Sequence, residues 1–355
     1  MRMSVHESPR VDTGGSPLSA ERPAQEPERG PAQGLAQSFT QEPVQGLAQR
    51  PALLARRPMV ILLAIASCAL WGSAFAFVKL GYELFEIGSA EPAQQLLFAG
   101  MRFSFAGLMV LVATTLVRRK ALIPSREELS QIGLLALAQT GFQYALFYIG
   151  LAHASGTNAS LVQGTSAFIQ ILLATLVFRQ EKMTMRKLLG SALGIIGVAL
   201  VTLRGGGMTG EWSLVGEGLV LASVVAGGTA SCLMRNFGKK GDPLLLTGWQ
   251  FLLGGASLSV VALLLGGRIG AVSPPAIGVL AYLAALSASA FSMWSSLLKY
   301  NPVSRVAMFR FFIPLFGVLF STLFLGEVLP HEQLILVAVA LGLIATGTIV
   351  VNSES

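Results

Sequence analysis

The sequence predicts an all-α membrane protein: ten transmembrane helices forming two inverted five-helix repeats, with the N- and C-termini cytoplasmic. Three observations carry that expectation. Hydrophobic residues make up 53% of the chain and charged residues 12%, against roughly 25% charge in a soluble domain. From about residue 58 to 351, apolar stretches follow one another with short polar breaks, each long enough to cross a hydrocarbon core of roughly 30 Å as a helix. Finally, Phe178-Arg-Gln-Glu181 recurs as Phe324-Leu-Gly-Glu327, and Leu193-Gly194-Ile195-Ile196 as Leu341-Gly342-Leu343-Ile344.

Residues 1–57 are rich in Pro, Gln, Gly, Ser and Ala and carry the near-repeat Gln33-Gly-Leu-Ala-Gln37 and Gln45-Gly-Leu-Ala-Gln49. Such a segment cannot bury enough apolar area to offset its ordering entropy. It is expected to be a disordered cytoplasmic tail and a passive extension, not a secretory signal. The spans are predicted at 59–80, 93–117, 129–150, 155–178, 187–203, 214–235, 244–266, 275–298, 303–325 and 332–351. With a cytoplasmic N-terminus, the inside loops hold Arg118, Arg119, Lys120 and Arg126, then Arg179, Lys182, Arg186 and Lys187. Arg235, Lys239 and Lys240 follow, then Lys299 and Arg305. The outside loops are poorer, with Lys79 and Arg102 at their edges, then Arg204 and Arg268. Basic loops stay on the cytoplasmic side, so this alternation sets the orientation. Five spans separate the two Phe-x-x-Glu copies, an odd number, so the copies point opposite ways. The halves are 58–204 and 205–352, a pattern that secondary transporters share.

Several short motifs fit one family. They are Leu70-Trp71-Gly72-Ser73 in the first span, Met101-Arg102-Phe103 in the second, and Leu176-Val-Phe-Arg-Gln-Glu181 closing the fourth. Pro314-Leu-Phe-Gly-Val lies in the ninth, and Leu323-Phe-Leu-Gly-Glu327 precedes Gly342 and Gly347. Over residues 59–351 the chain resembles the EamA-type transporters of the drug/metabolite transporter superfamily. The first repeat departs from the usual Leu-Gly-Glu with Arg179-Gln180-Glu181. The resemblance implies a central cavity lined mainly by spans one, three, four, six, eight and nine.

Polar side chains inside a span need a partner or a water-filled cavity. In the fourth span, Gln163, Ser166 and Gln170 recur at helical spacing on one face, near Asn158. In the third, Gln139 and Gln143 share a face, and Tyr144 and Tyr148 a neighbouring one. These are candidates for a substrate-binding wall; interhelical hydrogen bonding is the alternative. Trp71 and Trp294 are deep enough to be cavity walls as well as interfacial anchors. Arg310, a few residues from the middle of the ninth span, has no acid in any span interior to neutralise it. It is expected either to contact an anion or carboxylate or to snorkel towards the headgroups. Lys79, Arg102, Arg235 and Lys299 are expected to be topology anchors. Glu181 and Glu327 precede helices and are expected to stabilise their N-termini.

The function classes narrow accordingly. His6, His153 and His331 are far apart and none is mid-span, no paired acids face each other, and Cys68 and Cys232 read as packing residues. The expectation is a transporter that exports a small metabolite, an amino acid or similar polar or anionic compound, by alternating access. A non-transporting receptor or structural protein is the alternative, and a membrane-embedded enzyme the remote one. No cofactor, metal or nucleic acid is expected. The partners are the lipid bilayer of the bacterial inner (plasma) membrane and a small-molecule substrate, and the chain is expected to be a monomer, with a homodimer as the alternative. Since the spans offer no convincing carboxylate, uniport, exchange or downhill export is expected in place of carboxylate-based proton antiport.

Overall fold

The computed structural model describes residues 53–88, 91–153, 162–204, 213–270, 272–325 and 331–353. Contacts divide the chain into Met1–Arg50 and Pro51–Ser355, and every described residue belongs to the second unit. Residues 1–52 of the predicted tail, Asn158 and Glu327 lie outside the described residues, and Arg57, the last residue assigned to the tail, opens a helix.

The described residues are helical and contain no strand. In chain order the helices are α1 (Arg57–Leu84), α2 (Pro92–Arg118), α3 (Arg126–Leu135), α4 (Tyr144–His153), α5 (Ser166–Leu172) and α6 (Met185–Arg204). They continue with α7 (Leu219–Lys240), α8 (Pro243–Leu264), α9 (Pro274–Tyr300), α10 (Val303–Ala307), α11 (Phe312–Leu325) and α12 (His331–Asn352). Their starts follow local chemistry. Pro opens α1, α2, α8 and α9 in the first turn, where its missing N–H costs nothing. Asp242 and Ser273 cap α8 and α9, and Ser125 with Glu128 forms a reciprocal capping box at α3. Among the described residues, six stretches are long and apolar enough to cross a membrane: Arg57–Leu84, Pro92–Arg118, Arg126–Gly150, Leu214–Lys240, Pro243–Leu264 and Pro274–Tyr300. Helix also fills the described parts of the other four predicted segments.

Four membrane segments among the described residues are not continuous α-helix. π-Helical stretches join α3 to α4 (Ala136–Gln143), extend α5 (Leu173–Val177) and lead into α7 (Leu214–Gly218). Between α10 and α11 the chain tightens into a 3₁₀ turn, Met308–Phe311. Pro314 supplies a physical reason for that turn: it has no N–H to give the Arg310 carbonyl four residues earlier. Cys68 donates its thiol hydrogen to the neighbouring Phe309 carbonyl at 3.1 Å.

Helix pairing follows close approach. α2 lies along α8, where a Cβ on Gly107 would come within 2.4 Å of the Leu252 amide nitrogen, so only glycine fits there. α6 lies along α12, with Gly190 and Gly347 meeting backbone to backbone. Gly194 and Gly197 face Phe311 and Ile344, so the small-residue face of α6 is filled within the chain. α1 packs against α9 and α11, while α7 packs against the Ala136–Gln143 stretch, α4 and α5.

One end of the bundle is rich in basic side chains. Arg118 pairs with Asp242, Lys299 donates to the Gly241 carbonyl at 2.8 Å, and Arg235 Nε donates to the Asn301 carbonyl at 3.1 Å. Asn301 in turn donates to the Leu54 carbonyl just before α1.

Candidate substrate site

The 3₁₀ turn places Arg310 against two tryptophans, the buried Trp294 and the half-buried Trp71. Its guanidinium carbon lies 5.3 Å from the Trp71 ring centroid and 5.7 Å from that of Trp294. These rings are themselves 5.0 Å apart and near perpendicular. A cation over a tryptophan face is favoured by the ring quadrupole, more so where water is scarce. Arg310 Nε also faces the Ser166 hydroxyl at 3.4 Å. Among the described residues no carboxylate lies within salt-bridge distance of it. The charge is thus held by aromatic faces and a hydroxyl, and remains without an opposite charge.

Arg310 lines a small cavity with Gln139, Ser231, Thr247, Gln250, Trp294 and Ser295, closed off by Met234, Phe291 and Leu298. Its volume is about 10 Å³, near the smallest space that holds a water molecule. The central space is therefore nearly closed in this conformation. Its wall is polar and incompletely satisfied. Thr247 and Ser295 hydrogen-bond each other at 2.8 Å, but both amide atoms of Gln250 and the indole nitrogens of Trp71 and Trp294 are buried without a partner. An unmade buried hydrogen bond costs roughly 1–3 kcal/mol, so several such groups around one cation constitute a receptive surface for a polar ligand.

The candidate residues from the sequence divide between places. Gln139, Trp294 and Arg310 line the cavity, and Trp71 covers its charge. Gln143 is half-buried against Gly227 of α7, with its Oε1 unpartnered. Gln170 packs on Gly228 of α7, and Tyr148 sits in the aromatic cluster around Phe103 and Phe251. Gln163 is partly buried and does not line the cavity. Gln250 was not anticipated. It lies on α8, fully buried, and its signal was simply a glutamine within an apolar span.

Two expectations outside the cavity change. Glu181 does more than cap a helix: its carboxylate meets Lys187 Nζ at 3.0 Å and Arg235 at 3.6 Å and accepts from the Ser304 amide and hydroxyl. Burial works against its charge, but the hydrogen bonds from Ser304 and Lys187 and the charges of Lys187 and Arg235 outweigh it. The carboxyl is held below the usual range. Gln180, where the second copy has glycine, donates to the Cys232 carbonyl and Asn236, both at 2.8 Å, and so ties this turn to α7. Arg102, expected at a span edge, is buried in α2.

Long apolar helices around a partly polar interior define an integral membrane protein. The family model described as the EamA-like transporter family matches residues 58–203 and again 214–352. The chain belongs to the EamA-like transporter family, and it is a membrane transporter, not an enzyme. It is 30% identical to the uncharacterized transporter YvbV of Bacillus subtilis, over 73% of this chain and 83% of that one. It is 25% identical to the uncharacterized transporter YyaM of the same organism, over 70% of this chain and 82% of that one. It is also 25% identical to a protein of Chlamydia trachomatis named S-adenosylmethionine/S-adenosylhomocysteine transporter, over 77% and 84%. A solved crystal structure shares the fold at TM-score 0.66 and 20% identity, covering 83% of this chain and 96% of that one.

Proposed function

We propose that the protein exports a small polar or anionic metabolite, an amino acid or a related compound, across the bacterial inner membrane by alternating access. The observation that carries this reading is Arg310, an uncompensated charge in a broken membrane segment, facing a cavity with unpartnered amide and indole groups. Irregular backbone at membrane depth is tolerated only where it is buried in protein or lines a water-filled cavity, and discontinuous helices mark substrate sites in secondary transporters. Trp71, Gln139, Trp294 and Arg310 would contact the substrate, with Gln250 added to them. Gln143, Tyr148, Asn158, Gln163 and Gln170 would line the path when the cavity opens.

Ten membrane segments in two inverted halves, 58–204 and 205–352, supply the machinery, with residues 1–57 a cytoplasmic tail and both termini inside. Helix pairing supports this symmetry: the second and seventh segments pair, as do the fifth and tenth. The first lies against the eighth and ninth, as the sixth lies against the third and fourth. Rocking of one bundle against the other would open the cavity to each side in turn. A substrate with an amino-acid group also accords with the chlamydial relatives named S-adenosylmethionine/S-adenosylhomocysteine transporter.

The test is counterflow in liposomes across a broad panel of amino acids and organic acids. Saturable, substrate-dependent exchange is expected, and Arg310→Gln should lower exchange of carboxylate-bearing substrates at least about tenfold with the protein level unchanged. A panel-wide absence of exchange would sink the transport assignment of this cavity. Equal loss of exchange and protein level would assign Arg310 to folding.

A further inference from the structure

Arg102 is a further arginine turned into the bundle. It lies ten residues into α2, about 15 Å from the start of that helix, and is 6% exposed. Its Nε donates to the Ser287 hydroxyl at 2.8 Å, and its guanidinium sits 5.3 Å from the Phe103 ring centroid. Among the described residues no carboxylate pairs with it. The Tyr82 hydroxyl is buried without a hydrogen-bond partner. A guanidinium that faced lipid headgroups would be exposed at the surface; this one is turned into the protein.

Arg102 and Arg310 stand at two ends of one aromatic run. Trp71 touches Trp294 and Phe291, each at 5.0 Å; Phe291 touches Phe251 at 4.8 Å, and Phe251 touches Phe103 at 5.1 Å. Tyr144 packs 4.4 Å from Phe103. A single face of α9 connects the two places. Ser287, which holds Arg102, is followed at helical spacing by Phe291, Trp294 and Leu298, all three of which line the Arg310 cavity. From Ser287 to Trp294 is about 10 Å of helix axis.

We propose that Arg102 is a second carboxylate-binding station on the substrate path, distinct from Arg310 and separated from it by the aromatic layer. A carboxylate-bearing metabolite would exchange one guanidinium for the other as the cavity changes sides, so neither half of the path leaves its charge without a partner. The inference rests on the reading of the Arg310 cavity as the transport site.

Binding and exchange are measured on the purified full-length protein, by thermal shift in detergent and by counterflow in liposomes. The probes are matched pairs that differ only in charge: phenylacetate with phenylacetamide, pyruvate with pyruvamide, and phenylalanine with phenylalaninamide. The wild type is expected to bind and exchange at least one acid and to bind its amide about tenfold or more less tightly. Arg102→Gln should cut exchange of that acid about tenfold while Arg102→Lys retains part of it and Ser287→Ala, which keeps the charge, retains most. The thermal midpoint of ligand-free Arg102→Gln distinguishes a structural role: a large fall matched by Ser287→Ala would overturn the proposal. So would acid exchange by Arg102→Gln equal to wild type, or wild-type binding that does not separate acids from amides. In those cases exchange by the wild type would still stand, leaving the transport reading intact; loss of all wild-type exchange would remove both.

Discussion

Glu181 joins its own turn to three helices: α6 through Lys187, α7 through Arg235, and the start of α10 through Ser304. Its side chain is 7% exposed and those of Lys187 and Arg235 are 10% and 9%, so this is a buried cluster, where removing one partner strands the others. Breaking such a pair costs on the order of 3 kcal/mol. Glu181→Gln should therefore lower the thermal midpoint of the purified protein by several degrees at neutral pH. The folded carboxyl lies below its unfolded value, so the stabilisation is complete above the ordinary value of about 4.3 and disappears as pH falls through the lowered one. Wild type and Glu181→Gln should converge in that acidic window; a gap that persists unchanged to low pH would show that ionisation of Glu181 is not its source. In the sequence Glu181 was legible as a landmark of the repeat. Its partners were not, because Arg235 and Ser304 are brought to it only by packing.

At the scale of elements, the breaks matter more than the helices. Pro314→Ala would restore a donor to the Arg310 carbonyl and allow α10 and α11 to fuse into one regular helix, rotating Arg310 away from Trp71 and Trp294. Thermal stability should hold or rise while counterflow falls severalfold; undiminished exchange would show that the 3₁₀ turn is dispensable. The α2–α8 seam is a separate case. Gly107→Val would drive a branched side chain into the Leu252 backbone, an overpacking cost of about 1–3 kcal/mol or more, and should reduce the monodisperse peak on size-exclusion chromatography. Hydropathy located the six long apolar stretches, since length and apolarity are written locally. It could not show the π-helical stretch carrying Gln139 and Gln143, because periodicity names a face and not the neighbour across from it.

For the whole molecule, the basic end collects Arg118, Lys187, Arg235 and Lys299 around Asn301 and the chain before α1. Charge of this sign belongs on the cytoplasmic side. A fluorescent protein fused after Ser355 should therefore fold and fluoresce in the cytoplasm, and an alkaline phosphatase fusion at the same place should be inactive; the reverse result would invert the topology. Energy coupling is testable on the same scale. The described cavity lining holds no carboxylate and no histidine, the groups that carry protons in pumps. Exchange should survive collapse of the pH gradient at fixed membrane potential, and its abolition would require a proton-carrying group on the path.

By itself the sequence determined the membrane class, the six long apolar stretches, the family whose model matches the chain twice, and Arg310 as the charge to explain. These depend on hydropathy, loop charge and recurrence, each readable along the chain. Only the tertiary structure decided that Arg310 rests between Trp71 and Trp294, that Gln250 completes its wall, and that Arg102 turns inward beside Ser287. Those placements come from helices distant in sequence meeting at glycine seams and helix breaks, where a residue's environment is set by what packs against it and not by its own type.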